Sequence, residues 1–278
     1  MKRFGLLFLL VFSISFAQAQ ETADSILFSS FLNYAAKEKI VEMKTGERIV
    51  SIAKFFLETP YAGATLEGEG PECLKVNFRG LDCTTFVETV LALHNVLKET
   101  NPDFDTYKRI LTSIRYRNGV LDGYPSRLHY TTDWLFDNHC KGYVDFVKMG
   151  CRSKDFHPGV GFMSTHPESY LALKNNPEYI GVMASHEARI NNIELKYLPK
   201  ARLSSKAAFI HTGDIVAITT DYKGLDFSHL GFAVRENGEV YLLHASSSDK
   251  KVLISNQSLK DYLSDIKKHT GIVVVRPL

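Results

Sequence analysis

Cys83, His229 and His244 are the residues whose types and spacing could do covalent chemistry. Cys83 stands in Leu81-Asp82-Cys83-Thr84-Thr85-Phe86, at the entrance of an apolar stripe through Phe86, Val90, Leu93 and Leu97. That i, i+4, i+7, i+11 recurrence predicts a helix. Asp82 suits its N-cap, which puts Cys83 in the first turn. Unpaired backbone N–H groups and the helix dipole favour a thiolate there. A histidine brought to the sulfur would make it an activated nucleophile.

The histidines come from a predicted hairpin. Ser228–Arg235 and Val240–Ala245 read as strands joined through Glu236-Asn237-Gly238-Glu239, and Asn-Gly between apolar runs signals a type I′ turn. Pairing Glu236 with Glu239 and counting outward sets Gly231 opposite His244 and His229 opposite Ser246. His229 and His244 then share a face as diagonal neighbours, roughly 7–8 Å apart between backbones. Gly231 and Ala233 share that face, while Leu230, Phe232 and Val234 take the other. The Cys83 helix is expected on the small-residue face, with His229 as base and His244 fixing its tautomer. The same three side chains could instead bind zinc with a water in the fourth position. His129 and His166 are candidate pocket-lining residues.

Helices are predicted over 24–38, 44–58 and 103–117, and strands at 214–218 and 271–275 besides the hairpin. Helices first and strands afterward imply an α+β fold. A hydrophobic content of 45% allows a sizeable core in one domain. With 33 basic and 31 acidic residues the chain lacks the strongly basic character of a nucleic-acid binder. Lys2 and Arg3, the apolar run to Phe16 and Ala17-Gln18-Ala19 form a signal-peptide pattern over 1–19, with no cysteine after the cleavage point to carry a lipid. The mature chain is then exported, with no membrane span. Cys73, Cys83, Cys140 and Cys151 remain, and Cys140 and Cys151 are the nearest pair for a disulfide. Alternatively all four are reduced and partly buried.

Thr59-Pro60-Tyr61, Leu81-Asp82-Cys83, Ser228-His229-Leu230-Gly231-Phe232 and Leu243-His244-Ala245-Ser246 resemble the motifs of the NlpC-type, papain-like cell-wall cysteine peptidases. Thr84-Thr85 replaces the small Ser-Gly pair usual there. With Gly123-Tyr124-Pro125-Ser126-Arg127-Leu128-His129-Tyr130, Trp134 and Gly224-Leu225-Asp226-Phe227-Ser228-His229, it is similar to an N-acetylmuramoyl-L-alanine amidase-like branch. The resemblance implies a single catalytic domain over 20–278, with its core at 57–100 and 205–278 and an insertion at 101–204. In that fold the cysteine helix packs on an antiparallel sheet. It implies Cys83 as nucleophile, His229 as base, His244 as orienting residue and Tyr61 beside the oxyanion. Thr84, Arg127 and Ser228 become candidate substrate contacts. The implied substrates are muropeptides, including anhydro-muropeptides from wall turnover, and the implied protein is a periplasmic or secreted monomer needing no cofactor or metal. A cut between D-glutamate and the diamino acid, or a non-catalytic wall-binding role, are the alternatives.

Overall fold

A computed structural model describes residues 22–204 and 206–278, so the signal peptide expected at 1–19 lies outside the described residues. In chain order the helices α1 (22–37), α2 (Thr45–Lys54), α3 (Cys83–Val96), α4 (Phe104–Arg115) and α5 (Thr131–Cys140) come first. Then follow β1 (Val144–Phe146), β2 (Lys154–Phe156), α6 (Phe162–Thr165), α7 (Leu171–Asn175), α8 (Glu178–Ile190) and β3 (Leu195–Pro199). The last third holds β4 (Ile215–Thr220), β5 (Phe227–Glu236), β6 (Glu239–Ser246), β7 (Lys251–Ser258), α9 (Leu259–Asp265) and β8 (His269–Pro277). The fold is α+β, as expected.

The eight strands form one antiparallel sheet in the order β2-β3-β8-β4-β5-β6-β7, with β1 also on β8. Every residue of β4 is buried, which suits a continuous Ile-Val-Ala-Ile run covered on both faces. α3 is likewise buried almost all round, so it is the central helix rather than a surface one. One core unites α1 to α4 with Leu230, Phe232, Val234 and Leu243; a second joins Val216, Ile218, Ala233, Leu242 and α9 beneath the sheet. α2 begins close to the turn before β4, where Gly213 has φ +88° and a side chain on it would meet the Gly46 Cα at 2.5 Å. Two glycines make that approach possible.

The expected helices and four expected strands are present with ends shifted by a few residues. The segment 101–204 is woven into the sheet, since β1 and β3 both pair with β8. β1, β2 and β3, of three to five residues each, are too short to show a period.

Candidate active site

Asp82 caps α3 through a reciprocal pair of bonds: Thr85 N–H donates to Asp82 Oδ1 (2.8 Å), and Asp82 N–H donates to Thr85 Oγ1 (2.9 Å). This capping box fixes where the helix starts, and therefore fixes Cys83 as its first residue. Asn237 and Gly238 adopt φ of 51° and 84°, the two positive values of a type I′ turn. The ladder runs from Glu236↔Glu239 to Phe232↔Leu243, in the expected register, and its paired positions end there. Beyond that point β6 continues paired with β7, through His244↔Leu253. Here the Leu230 backbone and the hydroxyl and backbone of Thr84 lie beside the Cys83 thiol and favour its ionised form.

The two imidazoles meet as expected, with His229 Nε2 and His244 Nδ1 2.6 Å apart and the rings edge to face. The docking of α3 differs from expectation. Phe86 of α3 packs on Phe232 with ring centroids 5.6 Å apart, so the helix lies on the Leu230/Phe232/Val234 face. The bulky side chains give it more apolar area to bury than Gly231 and Ala233 do. α9 covers the small-residue face instead, bringing Leu259, Leu263 and Tyr262 onto it. Cys83 sits at the level of Leu230, next to His229 in sequence, beside the end of the β5–β6 ladder. Tyr262 lies against His244 and His229 at centroid distances of 5.4 and 6.2 Å and stacks on His269. Cys83 is close enough for its charge to help hold the Tyr262 hydroxyl up.

Gly231 is the narrow point of this assembly. A side chain there would meet His244 Cβ and the Leu242 side chain, each at 2.9 Å. A Gly231→Val protein is therefore expected to displace His244 and lose most activity; comparing its turnover and melting temperature with wild type checks this, and unchanged turnover would contradict it.

Burial sets the resting protonation. It brings His229 down to about 3, helped by the charges of His244 and His269, and His244 down to about 4. Burial and the Asp82 carboxylate push the Cys83 thiol up to about 11. The expected acidification at the helix start is thus outweighed by desolvation and by the cap's own negative charge. At neutral pH these shifts leave the thiol and both imidazoles uncharged.

The same shifts predict acid lability. His244, and His94, which burial holds at about 4, are neutral in the folded chain and protonatable in the unfolded one. Above pH 6.5 neither state takes a proton at these sites. Below it only the unfolded chain does, so stability falls until the folded values are reached. Each histidine contributes a slope of about 1.4 kcal/mol per pH unit between pH 6.5 and 4. Urea unfolding across that range should show the loss; a flat profile would contradict it.

Tyr61 pairs with Leu81 through a parallel bridge, and burial, then the charges of Cys83 and Asp82, hold its phenol up, so it lies near Cys83. Thr84 lies beside the thiol itself. Ser228 is exposed, with its hydroxyl donating to Ile218 O at 3.4 Å. Arg127 differs from the expected substrate contact. It is 4% exposed, donates to Glu67 Oε1 (2.5 Å) and Leu66 O (3.0 Å), and lies over the Tyr124 ring. Its guanidinium ties the loop between α2 and α3 to the segment after α4. His129 Nε2–H donates to Tyr124 O and the ring lines a small cavity with Thr84, whereas exposed His166 stacks on Phe162. All four cysteines are free, and Cys73, Cys140 and Cys151 are exposed rather than partly buried; no Cys140–Cys151 bridge forms. Among the described residues no three His, Cys, Asp or Glu side chains converge to hold a metal. Tyr262, His269 and the Leu230 amide are site components that no local sequence signal marked.

The AmiA-like family model, described as N-acetylmuramoyl-L-alanine amidase-like, matches residues 51–272. The chain belongs to this family of cell-wall amidase-like proteins. It is similar to an N-acetylmuramoyl-L-alanine amidase from Bacteroides uniformis, at 39% identity over 84% of this chain and 99% of that one, with a TM-score of 0.80. A Bacteroides fragilis protein provisionally named a xylanase is 40% identical over 81% of this chain and 99% of its own, with a TM-score of 0.77. A Legionella pneumophila protein at 23% identity, covering 94% of this chain and 95% of its own, shares the fold with a TM-score of 0.67. No curated protein sequence matches. Among the described residues no helix is long and apolar enough to cross a membrane.

Proposed function

We propose that this protein is an exported cysteine amidase of the papain-like, NlpC-type kind. It hydrolyses the amide between N-acetylmuramic acid and L-alanine in peptidoglycan fragments, including anhydro-muropeptides released by wall turnover. The observation that carries this is the imidazole pair joined at 2.6 Å, with the Cys83 thiol at the start of α3 beside the backbone of Leu230, the residue that follows His229. The signal-peptide pattern supports export.

His229 Nε2 is engaged by His244, which leaves Nδ1 to take the Cys83 proton. His229 Nε2–H then donates to His244 Nδ1, and the His244 proton sits on Nε2. The sulfur attacks the lactyl carbonyl of the muramoyl group. Backbone N–H groups at the helix start and the Tyr61 hydroxyl stabilise the oxyanion. His229 passes its proton to the departing L-alanine nitrogen, and the stem peptide leaves with a free amino terminus. It next takes a proton from water, whose oxygen attacks the thioester and frees the muramoyl carboxylate and the thiol. A glycosidase would need two carboxylates flanking the bond, and this site presents a thiol and imidazoles instead.

Mass spectrometry of a defined anhydro-muropeptide after incubation with the protein tests the assignment. A free stem peptide and a sugar without L-alanine are expected. Sugar still carrying L-Ala-D-Glu would instead establish the endopeptidase cut. Binding with no product from several muropeptides would favour a non-catalytic wall-binding protein.

A further inference from the structure

Beside the first turn of α3 lies a small cavity of about 20 Å³, walled by Val87, Leu128 and Leu230 and by the polar side chains of Thr84, His129, Thr131 and Trp134. That volume has room for about one water, and a buried water needs two to four polar partners. Trp134 supplies a donor that nothing in the protein satisfies. The residue is 3% exposed, and its indole nitrogen is buried without a protein hydrogen-bond partner. Buried donors left unpaired are rare and costly. Thr84 contributes the other end: its side chain walls the cavity next to Cys83, and its hydroxyl has oxygen lone pairs to accept a bond while its O–H faces the thiol's ionised form favourably.

We propose that this cavity binds one water, which accepts from the Trp134 indole N–H and donates to the Thr84 hydroxyl, making Trp134 a positioning residue for the Cys83 thiol. The chain Trp134–water–Thr84–Cys83 polarises the threonine O–H toward sulfur, since successive hydrogen bonds strengthen one another. It also keeps the hydroxyl from rotating away. The catalytic meaning of this relay rests on Cys83 being the nucleophile; the water site does not.

Trp134 is the only tryptophan, so a ¹⁵N spectrum of the full chain carries one indole resonance that needs no assignment. A cross-peak between that proton and bound water is expected, weakened or lost in Thr84→Val and kept in Thr84→Ser. With Cys73, Cys140 and Cys151 replaced by Ser, iodoacetamide reports on Cys83 alone. Trp134→Phe should then slow alkylation about fivefold and shift its pH profile upward. Trp134→Phe combined with Thr84→Val should be no slower than Thr84→Val alone. An indole proton without a water cross-peak, or Trp134→Phe alkylated at the parent rate with the parent pH profile, would overturn the proposal. Should Trp134→Phe fail to fold, the indole resonance in Thr84→Val still decides. Neither readout uses a muropeptide, so a protein that hydrolyses none would sink the amidase reading and leave this result standing.

Discussion

A Cys83→Ala protein should keep its fold, bind muropeptide and lose hydrolysis by at least about 10⁴-fold, the scale on which removing a nucleophile acts. Retention of the fold follows from the local structure. The α3 cap is made by Asp82 and Thr85, neither of which needs the thiol. Alanine keeps the Cβ and deletes only the sulfur of a partly buried residue, a small loss of packing. Rates and melting temperatures of the two proteins, measured together, separate loss of chemistry from loss of structure. Turnover within tenfold of wild type in a correctly folded Cys83→Ala protein would show that the sulfur is not the attacking atom.

The largest expected effect on stability lies one and a half turns further along the same helix. Glu88 of α3 and Arg115 of α4 form an ion pair at 2.7 Å, each no more than 3% exposed. Arg115 also donates to Lys75 O at 2.6 Å, so one guanidinium joins α3, α4 and the loop between α2 and α3. Arg115→Met would strand the Glu88 carboxylate in the core. Burial already raises that group despite the arginine, so without the arginine it would take up a proton or expose itself. Breaking a buried pair by removing one partner costs about 3–5 kcal/mol. For a chain of this size that corresponds to a fall of about 10 °C in melting temperature. Adding Glu88→Gln should recover part of the loss, because it removes the stranded charge. A fall below about 3 °C for Arg115→Met would mean the pair is dispensable.

Local signals were enough to read the cap before Cys83 and the meeting of the two imidazoles. Asp82 as cap, the Asn-Gly turn and the alternation around it depend on neighbours a few residues apart, and they brought His229 and His244 together. Which face of the hairpin receives α3 depends on what occupies the other face. α9, at seven residues, is too short to show itself as a periodic pattern. Tyr262 and His269 entered the site with it. Arg127 misled for a related reason: an arginine in a polar loop reads as exposed, and its partner Glu67 is 60 residues away. The Trp134 indole belongs to the same class, since only the packed cavity shows that its N–H lacks a partner.

The central claim is that one sulfur does the chemistry. With Cys73, Cys140 and Cys151 replaced by Ser, the protein can be titrated with iodoacetamide while intact mass and muropeptide hydrolysis are followed on the same samples. Residual activity should fall in proportion to the fraction carrying one label, and bound muropeptide should slow the labelling. Full modification of Cys83 with hydrolysis intact would contradict the account.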